Sequence, residues 1–500
     1  MQLRLPRRRF WRLAIYSVSI LLVLAAADLA LVEHRRAIHP GYDTTRITAP
    51  MDAGGTIDYL AAIDDYFGRG VSPENNAAPL LIEAIGRSAL ASNQPPDGIT
   101  DRLGMPHVPE AGEYFVTYEK FTKGRADAAA DPDPTDATRN DAWPLKVSPA
   151  TVAWINANVV PLAKIEQAAA RPKFFMPFYG GNRPETLAGI LLPYLNPFLR
   201  GDVPRALLTR ASLRLEAGDT DGCRRDLMTV HRLARLLGQG ATMIDRLVGT
   251  ALEIDACRAG RAALATGKFK AEESRAMAAD LAALADLPPM VDAMDVSERY
   301  MLLDTMQLAA RVGPVRAGEV FNHLSGRNVM PPQVFRWIPM PYEQTMREAN
   351  LWYDGALVAS RQRTYAERAA ALQAWEAATS HLHSNQQAFE VFSADWPLSL
   401  FLPALNRASV RTETARTERR LSQVACALAA YNADHGSYPA TLADLTPQYL
   451  AAIPLDSFSE KPLRYAPTPK GYTLYSVGPN LIDDGGKDSQ PGDDVVANAP

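Results

Sequence analysis

Along most of this chain apolar residues recur at three-and-four spacing, which predicts helices, and they alternate with polar ones only near the C-terminus, which predicts short strands. The longest apolar run comes first. Leu13 to Val32 carries no charge except Asp28, and it follows Arg4, Arg7, Arg8, Arg9 and Arg12. About 20 apolar residues suffice to cross a bilayer's hydrocarbon core as a helix, and clustered arginines stay cytoplasmic. A transmembrane anchor over 1–36 is therefore expected, with the bulk of the chain on the outer, periplasmic side.

Two details of that segment keep a second route open. Ala25-Ala26-Ala27 before Asp28 offers a small-residue cleavage site, so a cleaved signal peptide is the alternative to a retained anchor. Arg7-Arg8-Arg9-Phe10-Trp11-Arg12 also resembles a twin-arginine export signal. Each of these readings places the body outside the cytoplasmic membrane.

Residues 37–149 read as irregular and helical by turns. Pro40, Gly41, Pro50 and Gly54-Gly55 predict a linker, Ile57 to Phe67 and Leu80 to Ile85 predict short amphipathic helices, and the acidic, proline-broken stretch 124–149 predicts a surface loop. Residues 150–395 are rich in alanine, leucine and arginine, with helix breaks at Gly201, Gly218, Gly238 to Gly240 and Gly267. Leu207 to Leu215 and Cys223 to Leu237 form two apolar stripes joined by a short turn at Gly218, a helical hairpin. This Arg205–Gly238 unit is weakly similar to a tetratricopeptide hairpin. Stacked repeats need three or more units, so a generic helical-hairpin body is expected. Pro314 to Pro341 reads as a break, after which Trp352, Tyr353, Trp375 and Phe389 are spaced as core residues of further helices.

In residues 396–500 an apolar, proline-interrupted segment leads into a helix from about Arg407 to Asp434, with Leu421, Val424, Ala425, Leu428 and Tyr431 on its buried face. Gly436 and Pro439 end it. Leu463 to Tyr465 and Tyr472 to Val477 then alternate as strands around a turn at Pro469-Lys470-Gly471. The fold class expected is mainly α, with an N-terminal membrane helix, a helical-hairpin body and a small α+β C-terminal domain.

A long helix, Gly436-Ser437-Tyr438-Pro439, Ile453-Pro454-Leu455-Asp456-Ser457-Phe458, an aromatic strand and Tyr475-Ser476-Val477-Gly478-Pro479-Asn480 follow one another in an order that resembles the globular domain of type II secretion major pseudopilins. The resemblance covers about 407–496. It implies a calcium ion in the acidic loop after the strands, with Asp483, Asp484, Asp488, Asp493 and Asp494 as the candidate ligands. Calcium takes six to eight oxygen ligands, and glycines such as Gly485, Gly486 and Gly492 let a backbone curl round it. A solvated acidic tail is the alternative. Asp456 matches the aspartate of the family's Pro-x-Asp-Pro-Trp-Gly segment, whereas Ser457 and Ser459 depart from it. In that family the membrane helix runs directly into the globular domain, while here a long insertion separates them, which argues against ordinary pilus assembly.

Composition narrows the function. With 47% hydrophobic and 22% charged residues and a net charge of -4, the chain carries no general attraction for nucleic acid. Cys223, Cys257 and Cys426 sit in alanine- and leucine-rich stretches and read as small buried apolar residues. Phosphate-binding loops, nucleophile elbows, zinc-protease helices and paired Cys-x-x-Cys motifs are all missing from the sequence. His381 and His383, two apart on a helix, diverge. The expectation is a non-enzymatic, membrane-tethered extracytoplasmic protein with a structural or protein-interaction role, envelope proteins as partners and Ca2+ as its ion. An extracytoplasmic hydrolase-like enzyme and a component of a type II secretion-like machine are the alternatives.

Overall fold

A computed structural model describes residues 37–89, 96–125, 143–178, 186–191, 201–325, 331–333, 341–384, 405–488 and 492–499. The expected anchor of residues 1–36, most of the acidic loop 124–149 and the apolar lead-in before Leu405 lie outside the described residues. Among the described residues no helix is long and apolar enough to cross a membrane.

The chain is mainly helical. After a first helix at Tyr59–Phe67 come α1 (Ala78–Ile85), α2 (Pro149–Ala157), α3 (Val159–Ala169), α4 (Asp202–Glu216), α5 (Thr220–Leu237), α6 (Met243–Ala265), α7 (Ala271–Ala283), α8 (Arg299–Val312), α9 (Pro314–Ser325), α10 (Tyr342–Ser360), α11 (Tyr365–Ser384) and α12 (Leu405–His435), with a further helix at Pro96–Leu103 and shorter helical turns among the described residues. One antiparallel sheet follows, of β1 (Arg464–Pro467), β2 (Tyr472–Ser476) and β3 (Val495–Val496), in the order β1-β2-β3. Arg464 faces Tyr475 across the first pair, and Tyr475 faces Val496 across the second.

By their contacts the described residues fall into two units that interleave in sequence. One comprises 1–59, 299–355 and 377–403, the other 60–298, 356–376 and 404–500. In the first unit, polar side chains of helices hold the proline- and glycine-rich segment that composition marks as irregular. Gln307 on α8 bonds both the backbone N–H and the C=O of Ile57, at 3.0 and 2.9 Å. Asn350 on α10 donates to the carbonyls of Asp43 and Thr44, and the fully buried Arg299 donates to Asn350 and Asp354. A segment without periodicity is thus ordered by hydrogen bonds that satisfy its own backbone groups. Helix α9 corrects the expectation of a break from Pro314 onward. Pro314 is its first residue, where proline's missing N–H would have no intrahelical partner in any case.

The second unit is built on hairpins. Gly218 at φ 84° closes the turn after α4, Asp219 caps α5 by accepting from the Gly222 N–H at 2.8 Å, and Gly267 at φ 68° turns α6 toward α7. Thr242 and Asp245 form a capping box that starts α6. Helix α5 packs between α4 and α6, and α12 packs against both α6 and α7. The core therefore runs continuously from α1 through α4, α5 and α6 to Ala425 and Cys426 on α12. Leu421, Val424 and Leu428 of the same helix belong to a second core with Leu445, Phe458 and Leu474. With apolar partners on two sides, the middle of α12 is buried nearly all round. Trp352 and Tyr353 are buried and Trp375 is half-buried, while Phe389 lies outside the described residues.

Candidate cation site in the acidic loop

Strand β2 ends at Ser476, and the chain turns at Gly478, whose φ of 66° suits glycine. A Cβ at this position would lie 2.2 Å from the carbonyl oxygen of Asp493, so no other residue fits. Leu481, Gly485 and Gly486 also hold positive φ, and the loop curls back until β3 pairs with β2. That closure sets Asp493 and Asp494 beside Asp484. One carboxylate oxygen from each of the three lies within 4.8 Å of the others.

Neutral donors answer only part of this charge. Asn480 donates its backbone N–H to Asp493 at 3.1 Å and its side-chain amide to Asp484 at 3.0 Å, while Gly486 N–H donates to Asp494 Oδ2 at 2.7 Å. Asp493 Oδ1 and Asp494 Oδ1 are shut off from solvent and have no hydrogen-bond partner, and Asp494 is 2% exposed. Burial, together with the like charges of Asp484 and Asp494, pushes the Asp493 carboxyl above its ordinary range. Calcium binds oxygen at about 2.3–2.6 Å, so any two ligands of one ion lie within roughly 5 Å of each other. The cluster meets that limit. Buried carboxylates with unanswered oxygens are also the donor set a hard cation completes.

The five sequence candidates separate here. Asp484, Asp493 and Asp494 converge. Asp483 turns to other partners: it accepts from the Tyr475 hydroxyl at 3.0 Å and pairs with Arg464 at 3.0 Å, and the hydrogen bonds from Tyr475 and Gly485 lower its carboxyl. Asp488 is exposed and stands outside the cluster. Asp456, matched to the family by sequence, is 1% exposed and fully answered, accepting from Phe458 N–H, Ser459 Oγ, Ser476 Oγ and Val477 N–H at 2.7 to 3.2 Å. It pins the loop before β1 to the end of β2. Ser459, one of the two departures from the family pattern, bonds this same carboxylate, and Ser457 bonds Thr417 on α12 at 2.7 Å.

A second group with ligand-bearing atoms, His231, Glu253 and Cys257, joins α5 to α6. Its chemistry differs. Burial drives Glu253 up, but His231 at 2.8 Å and Arg235 at 2.7 and 3.1 Å more than reverse this and hold the carboxylate well below its usual range. Burial pushes the Cys257 thiol well up. The group is a buried ionic tie with one orphaned atom, His231 Nε2. Similar ties join Arg210 to Asp226 across α4 and α5, and Arg258 and Arg261 on α6 to Glu418 on α12. All three cysteines are buried, unpaired thiols. The side chains of His381 and His383 lie outside the described residues.

Comparison of the chain with protein-family models, curated proteins and solved structures finds no match.

Proposed function

We propose that the protein is a membrane-tethered, extracytoplasmic scaffold with a structural or protein-interaction role, whose C-terminal module resembles a pseudopilin globular domain and binds one calcium ion. The observation that carries the ion site is the solvent-excluded, unpartnered Oδ1 of Asp494, beside Asp484 and Asp493. Leaving such an oxygen unanswered costs about 1–3 kcal/mol or more for a charged group, and a cation removes that cost. The run of cytoplasmic-type arginines before Leu13 to Val32 supports the tether. In this reading calcium closes the loop between β2 and β3 and so fixes the outer edge of the sheet for contact with an envelope partner.

The test is thermal melting of the full chain with calcium, magnesium or chelator. A ligand that binds only the folded form stabilises it by about 2.7 kcal/mol at a concentration 100 times its Kd. Calcium should raise the melting temperature more than magnesium, and Asp494→Asn should erase the rise. Equal melting in calcium and chelator would leave the loop without an ion and the resemblance without its site.

A further inference from the structure

A cavity of about 260 Å³ lies within the second unit, against one face of α12 and apart from the acidic loop. Its floor is apolar, with Met243 from the start of α6, Met290 and Met294 from the segment that follows α7, and Leu405 from the first turn of α12. Its rim is cationic. Arg361, Arg368 and Arg416 line it, and Glu413 is the carboxylate among its lining residues. Glu413 is 2% exposed and clamped between Arg368 and the Nη1 of Arg416, the latter at 2.9 and 3.0 Å. Asp295 stands 3.8 Å from Arg361. Three guanidiniums thus meet two carboxylates, and one positive charge is left over. Among the described residues, Nε and Nη2 of Arg416 and the whole side chain of Arg361 make no hydrogen bond, so the donors that carry this charge are free to take a ligand.

We infer that this cavity binds a small amphiphilic monoanion, a medium-chain carboxylate, with its tail on the methionine floor and its carboxylate on Arg361 and Arg416. Volume suits the length: at about 30 Å³ per non-hydrogen atom, the share a water molecule takes in the liquid, the space holds roughly nine such atoms, about the tail and part of the head of an eight-carbon acid, whose carboxylate reaches the open, cationic rim. Flexible, polarisable methionines shape themselves to an unbranched chain. Guanidinium forks match a carboxylate in plane and spacing. The surplus of one positive charge matches a monoanion.

The experiment titrates carboxyl-13C octanoate into the full chain and follows its resonance. Octanol serves as the probe without a charged head, and acetate as the probe without a tail. Saturable one-to-one binding of octanoate is expected, with octanol and acetate each weaker by about tenfold or more, a factor that a lost charged contact or a lost tail supplies. Arg361→Gln changes an exposed side chain, so it should leave melting unchanged and weaken octanoate about fivefold, the scale of an exposed ion pair. Ala408→Leu, which fills the cavity beside Leu405, should abolish binding. Octanol binding as tightly as octanoate would overturn the proposal, and so would unchanged binding in Ala408→Leu. A leucine-terminated peptide that binds where octanoate does not would overturn it in favour of a peptide-carboxylate site. These outcomes are independent of any calcium response.

Discussion

Two groups of carboxylates in the second unit, one buried and one buried to half-buried, are answered in opposite ways. Glu253 and Glu418, each 1% exposed on the packed helices α6 and α12, have their oxygens taken by guanidiniums: Arg235 for the first, Arg258 and Arg261 for the second. Asp484, Asp493 and Asp494, in the loop between β2 and β3, receive only amide donors and keep two orphaned oxygens. Glu298 shows a third solution. It accepts one N–H, from Met243 at 3.0 Å, and burial pushes its carboxyl up to about 7, so a proton takes the place of a cation. Helix packing can bring an arginine to a carboxylate from a neighbouring helix, and that pair is complete as folded. In the loop, among the described residues, only Asp483, which faces outward, meets a guanidinium, that of Arg464, while Asp484, Asp493 and Asp494 converge on one another, the arrangement a bound cation completes.

Glu418→Ala should have the largest effect on this comparison. Removing one partner of a buried pair leaves a buried guanidinium uncompensated, at about 3–5 kcal/mol, read as a lower midpoint in urea unfolding. A loss below about 1 kcal/mol would mean that solvent already reaches the pair and that the helical ties are not complete as folded.

The next effect is a dependence on pH with two opposite limbs. Glu298 has a folded value above its ordinary 4.5, so it favours the folded state only while protonated. Its contribution is full below about pH 4.5, falls as pH rises toward about 7 and stays lost above, by about 3 kcal/mol. Glu298→Gln should flatten that limb. Glu253 lies below its ordinary value, so its contribution is present above about pH 4.5 and is lost as pH falls further. Unfolding midpoints measured across this range should show a maximum near pH 5. A steady rise from acid to neutral would show that Glu298 is not held protonated by its surroundings.

Asp483→Asn should do least. Its pairs with Arg464 and Tyr475 are exposed, and surface pairs of this kind contribute about 0–1 kcal/mol. The variant should keep its calcium response while Asp494→Asn loses it. Loss of the response in Asp483→Asn would move the ligand set outward, to a carboxylate that a guanidinium already answers.

Much of the helical architecture is legible in the sequence because its signals are local. Gly218 and Gly267 end helices where a positive φ is needed, and the three-and-four spacing of Leu421, Val424 and Leu428 marks the inward face of α12. Other features have no local signal. Pro314 reads as a breaker in sequence, yet the same ring fits the first turn of α9. β3 is two valines long, too short for alternation to show. Arg235 and Arg261 carry no signal in the sequence that they are buried, and only the neighbouring helix turns them into buried partners of Glu253 and Glu418.

The helical periods, the turns that divide them, the basic flank and apolar run at the N-terminus, and the presence of an acidic, glycine-rich loop are all written in the local order of residues. Which of the five aspartates meet depends on contacts between distant parts of the chain. Asp484 and Asp494 lie ten positions apart, so their proximity depends on β3 closing onto β2 and on Gly478 admitting the Asp493 backbone against it. That pairing sends Asp484, Asp493 and Asp494 inward together and leaves Asp483 to Arg464, because a side chain's direction at a loop's end is set by the strand register it enters.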